Sequence, residues 1–274
     1  MQRAISMAKK WGVKALAKTD LNEELAADIV SVCTPDNDHY SSLVKAVSLR
    51  PRLVVCEKPL TTSLKDSARI ISLYKKNKIP LVVNYTRRFD RTVWEVKQEI
   101  EHGRYGNILG ARMIYTKGLL HNGSHAIDLA RFLLGEVISG SVLYHVNDYD
   151  KFDNSVGAFL RLEKCPQIYL IPADERKYSV FDLEILCAKG RISFNNFGFE
   201  FKEEKVVGDP LFKGYKMLAE KRIVKTKLNR ALASLVDQAV DCLEKKTNIL
   251  SSAQNAYVTQ KICLSLLKNG KYVR

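Results

Sequence analysis

Two short stretches hold the residues whose types and spacing could do chemistry. Lys58 lies in Glu57-Lys58-Pro59, directly after the apolar run 52–56. A lysine at the lip of a buried strand is partly desolvated, and a neighbouring cation lowers its pKa further. That suits proton exchange near neutral pH. The spacing equally allows a surface lysine in a turn, paired with Glu57. The second stretch is His121-Asn-Gly-Ser-His125, which opens onto a helix containing Asp128. Histidines four apart can share a metal on one helix face, but Gly123 between them and the lack of an adjacent Glu count against it. His125 in a first helical turn could instead serve as an acid/base group. A third possibility is a capping loop, with Asn122 or Ser124 bonding the helix N-terminus and His125 packed beneath.

Other chemistries lack their signatures. The sequence has no G-x-S-x-G elbow, no cysteine in a fitting histidine context, no Walker A sequence and no G-x-G-x-x-G. Gly103-Arg-Tyr-Gly106 falls at the end of an expected helix. The six cysteines, at 33, 56, 165, 187, 242 and 263, contain no CxxC pair, so no metal site is expected. Cys33, Cys56 and Cys187 end or interrupt apolar runs and read as small core residues. Reduced thiols in the cytoplasm fit this usage.

The elements that must position Lys58 follow from the apolar pattern. Residues 2–11 place Ala4, Met7, Ala8 and Trp11 at helical spacing, and 21–26 predict a second short helix. Short apolar runs at 28–33, 52–56 and 80–84 predict buried strands, with helices over 39–49 and from 64 onward between them. Such alternation is the signature of parallel βαβ units. Ligands in open parallel sheets bind beyond the carboxyl ends of the strands. The segments there are Thr34-Pro35-Asp36-Asn37-Asp38-His39, Glu57-Lys58-Pro59 and Asn84-Tyr85-Thr86-Arg87-Arg88-Phe89, and their position makes them candidate site residues. After residue 90 the pattern changes. Helices are expected at 92–102 and 124–134 and a strand at 108–115. Strand-like stretches then run from 140 to 203, and amphipathic helices close the chain at 228–243 and 253–267. The expected fold class is α/β: an incomplete doubly wound, Rossmann-type parallel sheet, then an α+β domain with a largely antiparallel open sheet. The domains divide at 1–88 and 89–274.

Composition narrows the function classes. Of 274 residues, 46% are hydrophobic and 27% charged, which is ordinary globular usage and excludes disorder and coiled coil. Lys+Arg minus Asp+Glu is 44 − 30 = +14. An excess of this size can draw anionic partners, and it leans toward anionic substrates such as nucleotide-sugars. The basic residues are scattered, as in 75–78 and 221–225, without a nucleic-acid motif, so no nucleic-acid partner is expected. No apolar run reaches the roughly 18 residues of a membrane span, and charges interrupt the first residues where a signal peptide is apolar. A cytoplasmic protein without a membrane partner is expected.

Several pieces together resemble the Gfo/Idh/MocA oxidoreductases. In order they are Thr34-Pro35 with His39, Glu57-Lys58-Pro59-Leu60, Arg88-Phe89, Gly103 with Gly106, Gly123-Ser124-His125-Ala-Ile-Asp128, Gly135, and the stretch 183–191. The resemblance covers nearly the whole chain. It implies hydride transfer between NAD or NADP and a secondary alcohol of a sugar, nucleotide-sugar or cyclitol, and a homo-oligomer, dimer or tetramer, built on the sheet domain. It implies that Lys58 holds and helps deprotonate the substrate hydroxyl, that His125 is the acid/base histidine, and that Thr34, Pro35, His39, Glu57, Lys58 and Asn84 line the cofactor. His121 stands where the family often has Asp, which bears on substrate preference. The family's opening strand, glycine-rich turn, helix and second strand, roughly 30 residues, have no counterpart in this sequence. The expectation is therefore a truncated dinucleotide-binding unit with poor cofactor affinity and impaired activity. The alternative is a non-catalytic remnant, a binding or oligomerising protein with the same fold.

Overall fold

The computed structural model describes residues 2–16 and 26–274, so the helix expected over 21–26 lies almost wholly outside the described residues. Helix α1 (Gln2–Trp11) forms, but of its periodic apolar residues only Ala8 is buried, and Met7 and Trp11 are exposed. Three parallel strands follow in the order β1 (Ile29–Val32), β2 (Leu53–Glu57), β3 (Leu81–Asn84). Helices α2 (His39–Ser48) and α3 (Leu64–Asn77) connect them. Ser63 caps α3 by accepting from the Asp66 amide at 3.1 Å, and Lys78 ends it at φ 56°.

The continuous apolar run of β2 reflects cover on both faces. Val54 and Cys56 face Leu43, Ile70 and Tyr74 of α2 and α3. Leu53 and Val55 face Ala231, Leu235 and Ala239 of α6 (Ala231–Lys245). Helix α7 (Ala253–Asn269) adds Ala253 and Ala256 to the first of these clusters. The chain thus returns to the first sheet after building the second, and Val83 N–H bonds Ser251 O at 2.8 Å along the way. The expected domain division falls inside a 3-10 turn, Thr86–Phe89.

The second sheet has nine strands: β4 (Ile108–Tyr115), β5 (Val137–Asp150), β6 (Asp153–Leu162), β7 (Ile168–Pro172), β8 (Phe181–Cys187), β9 (Gly190–Asn195), β10 (Glu200–Gly208), β11 (Lys216–Lys225) and β12 (Lys271–Val273). Their order is β11-β10-β9-β8-β4-β7-β6-β5-β12, antiparallel except for β4 with β7. Helices α4 (Arg91–Glu101), α5 (Ser124–Leu134) and α7 cover one face through Val96, Ile127, Leu133 and Ile262. The other face is open and shows Tyr169 and Leu186, with Phe159 edge-on to Tyr169 at 5.5 Å.

Three expectations need correction. Residues 216–225 contain an expected basic run but form a strand paired along β10. That strand is largely exposed on both sides, so its sequence carries no apolar alternation. The last of the strand-like stretches expected up to 203 begins only at Glu200, because Asn196 and Phe197 turn through positive φ, 52° and 60°. Cys33 is exposed, because β1 ends at Val32 and leaves it in the loop beyond the sheet.

Candidate active site

The carboxyl ends of β1 and β2 meet the start of α5 at a cavity of about 270 Å³. Its wall includes Asp36, Lys58, Tyr85, His121, Tyr149 and Asp153, closed from α7 by Gln260 and Cys263. This is near the lower size for small-molecule sites.

Lys58 does not pair with Glu57. Its Nζ donates to the backbone carbonyl of His121 at 2.9 Å, crossing from the first sheet to the second. Glu57 instead accepts from Asn84 Nδ2 at 2.8 Å, joining the ends of β2 and β3. Burial lowers the Lys58 pKa, and Lys117 lowers it further. Asp36, Asp153 and Glu57 act in the opposite direction. The result is an ammonium that releases its proton more readily than a surface lysine.

His39 holds this arrangement from below. It is fully buried, with Nδ1 at 2.6 Å from Pro59 O and Nε2 at 2.9 Å from Thr34 O. Its ring therefore ties the loop after β1 to the loop after β2, rather than standing on the cavity wall. Thr34 and Pro35 are exposed, and Thr34 Oγ1 bonds Ser42 Oγ at 3.2 Å.

The histidine loop is not a simple cap. Among the described residues, no three His, Cys, Asp or Glu side chains gather as a metal site. Residues Gly118–Gly123 form one wide π-helical turn leading into α5, and neither Asn122 nor Ser124 caps that helix. Asn122 Nδ2 reaches back to Thr116 O at 3.0 Å. Gly118 adopts φ +74°, and a Cβ there would lie 2.2 Å from Asp153 Oδ2. Only glycine fits this approach.

His121 is half-buried on the cavity wall, with its ring 4.9 Å from that of Tyr149. Burial, with Lys58 and Lys117 nearby, pushes its pKa down to about 4. His125 sits behind it, edge-on to Tyr85 at 5.5 Å, with Nδ1 buried and unpartnered. Burial and the charges of Arg87, Lys58 and His121 hold its pKa well below the usual histidine range. Both imidazoles are neutral at pH 7. Lys58 and His121 share the cavity wall, whereas His125 is buried off it, though the Lys58 charge still acts on its ring. The structure leaves Glu57, Asn84 and His39 bonded to protein around them.

A buried ion pair joins the turn after β3 to α5. Arg88 Nε and Nη2 donate to the two Asp128 oxygens at 2.7 and 2.9 Å, and Nη1 donates to Leu250 O at 3.0 Å. Thr259 of α7 donates to Asp128 Oδ1 at 3.2 Å. The sequence reading placed Asp36 in a strand-end segment but missed Tyr149, Asp150, Asp153 and Gln260 on the wall. These come from a hairpin and a helix about 90 to 200 residues from Lys58, and no local spacing marks them.

Comparisons with known proteins agree with this layout. The Gfo/Idh/MocA family model, described as an oxidoreductase family with an NAD-binding Rossmann fold, matches residues 1–85. A myo-inositol 2-dehydrogenase of Thermotoga maritima is 30% identical over 217 residues, 71% of this chain and 65% of that protein. An inositol 2-dehydrogenase of Rhizobium meliloti is 25% identical over 259 residues, 85% of this chain and 76% of that protein. Among solved structures, a levoglucosan dehydrogenase in complex with NADH and levoglucosan superposes with a TM-score of 0.78 at 16% identity, covering 98% of this chain and 84% of that one. The chain spans just under two thirds of the Thermotoga protein's length.

Proposed function

Because the chain belongs to the Gfo/Idh/MocA oxidoreductase family, we propose that it is an NAD(P)-dependent dehydrogenase of a sugar or cyclitol secondary alcohol. The observation that carries this reading is the half-desolvated Lys58 ammonium. It is held across the sheet junction by His121 O, in a cavity that also exposes His121. The strand-end loops fit the nicotinamide end of the cofactor, since Lys58 and Asp36 present polar groups there beyond the carboxyl edge of the sheet. When bound, the cofactor supplies the hydride acceptor. As an ammonium Lys58 orients the substrate hydroxyl; its lowered pKa makes the neutral amine more accessible, and in that form it accepts the hydroxyl proton and returns to the ammonium. His125 is kept neutral by burial, so its unpartnered Nδ1 offers an acceptor or donor rather than a stored charge.

The cavity wall favours an uncharged polyol over an anionic sugar. Three carboxylates, Asp36, Asp150 and Asp153, line it against the single ammonium of Lys58. The +14 excess therefore sits elsewhere on the molecule. Hydroxyls donate to carboxylates, whereas an anion would be repelled by them. The exposed apolar residues on the open sheet face support a homo-oligomer, dimer or tetramer. In this reading 1–88 is the cofactor unit and 89–274 the substrate unit, with α6 and α7 docked back onto the first.

Residues 1–274 contain no glycine-rich turn to cradle a pyrophosphate. We therefore expect this chain alone to bind dinucleotide weakly. Calorimetry with NAD(H) and NADP(H) measures that affinity, and micromolar binding would refute the expectation. Initial rates with inositols, neutral monosaccharides, uronates and nucleotide-sugars test the function. Turnover of neutral polyols supports it. Absence of turnover with any of them, at cofactor concentrations shown to bind, leaves the non-catalytic alternative standing.

A further inference from the structure

The β5–β6 hairpin contributes more to the cavity than a wall. Asp153, the first residue of β6, turns its carboxylate toward the π-helical turn of the neighbouring segment. Oδ1 accepts from Leu120 N at 2.7 Å and Oδ2 accepts from His121 N at 2.9 Å. The peptide that follows His121 carries the carbonyl that receives Lys58 Nζ. The same hairpin supplies Asp148, whose Oδ2 accepts from Lys117 N at 2.8 Å, and Ser155, whose Oγ accepts from Gly118 N at 2.9 Å. Four consecutive or near-consecutive amides of the histidine loop are thus bound by side chains of one distant hairpin.

We propose that Asp153 is the positioning residue of this cavity: its carboxylate clamps the Leu120–His121 backbone and thereby fixes the carbonyl that holds the Lys58 ammonium. A wide turn has amides that the helix following it does not satisfy. Without a carboxylate in this place, those donors would be left without an acceptor inside the protein. Gly118 records the same constraint, because any side chain there would displace Asp153. Asp153 also faces Lys58 electrostatically, together with Asp36, Glu57, Lys117, His121 and His125. Its negative charge keeps Lys58 protonated to higher pH than burial alone would allow. Asp153 acts through Lys58 and the histidine loop and need not touch substrate.

This inference deepens the proposed function at the same site, but its test needs no turnover. In Asp153→Asn, one carboxylate oxygen becomes an NH2 that cannot accept an amide hydrogen bond. Two readouts are taken on the 274-residue chain. Amide hydrogen exchange followed by peptide mass spectrometry reports on 119–122, and trace acetylation against pH reports the titration of Lys58. We expect exchange at 120–121 to quicken about tenfold and the Lys58 midpoint to move down by about one pH unit. A merely structural role for Asp153 would loosen the loop without moving that midpoint. If Asp153→Asn does not fold, Gly118→Ala is read in its place and should move both readouts in the same direction. Either readout staying at its wild-type value in a folded variant overturns the proposal. Failure of the dehydrogenase reading would appear separately, as absent turnover of polyols by the wild-type chain.

Discussion

The two sides of the cavity are held by different means. On the first sheet, the loops after β1 and β2 are tied by one buried ring, His39, which contacts Thr34 O and Pro59 O. His39 opens α2, immediately after the first of those loops, so the tie belongs to the βαβ unit itself. On the second sheet, the histidine loop is held by carboxylates 31 to 33 positions further along the chain, Asp148 and Asp153. The first side therefore inherits its geometry from chain order. The second depends on a hairpin docking correctly. Lys58 bridges the two through His121 O, so errors on either side reach the same ammonium.

The largest effect should come from removing the bridge. Lys58→Ala should lower kcat/KM by about 10²–10⁴-fold while leaving dinucleotide affinity nearly unchanged. Steady-state kinetics beside calorimetry separates the two, and retained turnover would remove Lys58 from the chemistry. Next comes the link beneath the cavity. Arg88→Met strands the buried Asp128 carboxylate and should destabilise folding by about 3–5 kcal/mol. Urea unfolding measures this. A loss under about 1 kcal/mol, the range of an exposed pair, would show that the two sheets are not joined there.

His39→Ala tests the first side against the second. It should cost about 1–3 kcal/mol by removing a buried ring and leaving the part-buried Thr34 and Pro59 carbonyls less well satisfied. Hydrogen exchange should rise in 34–38 and 57–61 but not in 117–123. Spread of the effect into the histidine loop would mean that the two sides are not independently held.

The smallest effect is a pH dependence. His121 and His125 have folded pKa values below that of an unfolded histidine, about 6.5. The unfolded chain then binds more protons than the folded one below that pH. Stability from these groups is full above about pH 6.5 and is lost as pH falls toward their folded values, about 4 for His121. The melting temperature should decline from pH 7 to pH 5, and His125→Gln should flatten the decline. An unchanged slope in that variant would place the effect on other groups.

Local pattern carried much of the fold because burial leaves a periodic trace. The runs at β2 and β3 are apolar up to their last residues, Glu57 and Asn84, since helices cover both faces, and α5 was legible from its first residue to its last. Strand β11 left no such trace, since little of it is buried. The candidate site divides in the same way. Lys58, His121 and His125 were visible as residue types at a strand end and a helix start. Their alternatives stayed open because spacing says nothing about partners.

Residue type and chain order by themselves determined the βαβ unit, the strand-end placement of Lys58 and the proximity of two histidines to a helix start. Only the tertiary structure decided that Lys58 bonds His121 O rather than Glu57. It alone decided that His39 braces two loops from inside the protein. It alone brought Asp153 to the histidine loop. Periodicity encodes which face of an element is buried, because that depends on residues a few positions apart. Hydrogen-bond partners and pKa shifts depend on what lies within a few ångströms, and here those neighbours come from helices, loops and a hairpin far apart along the chain.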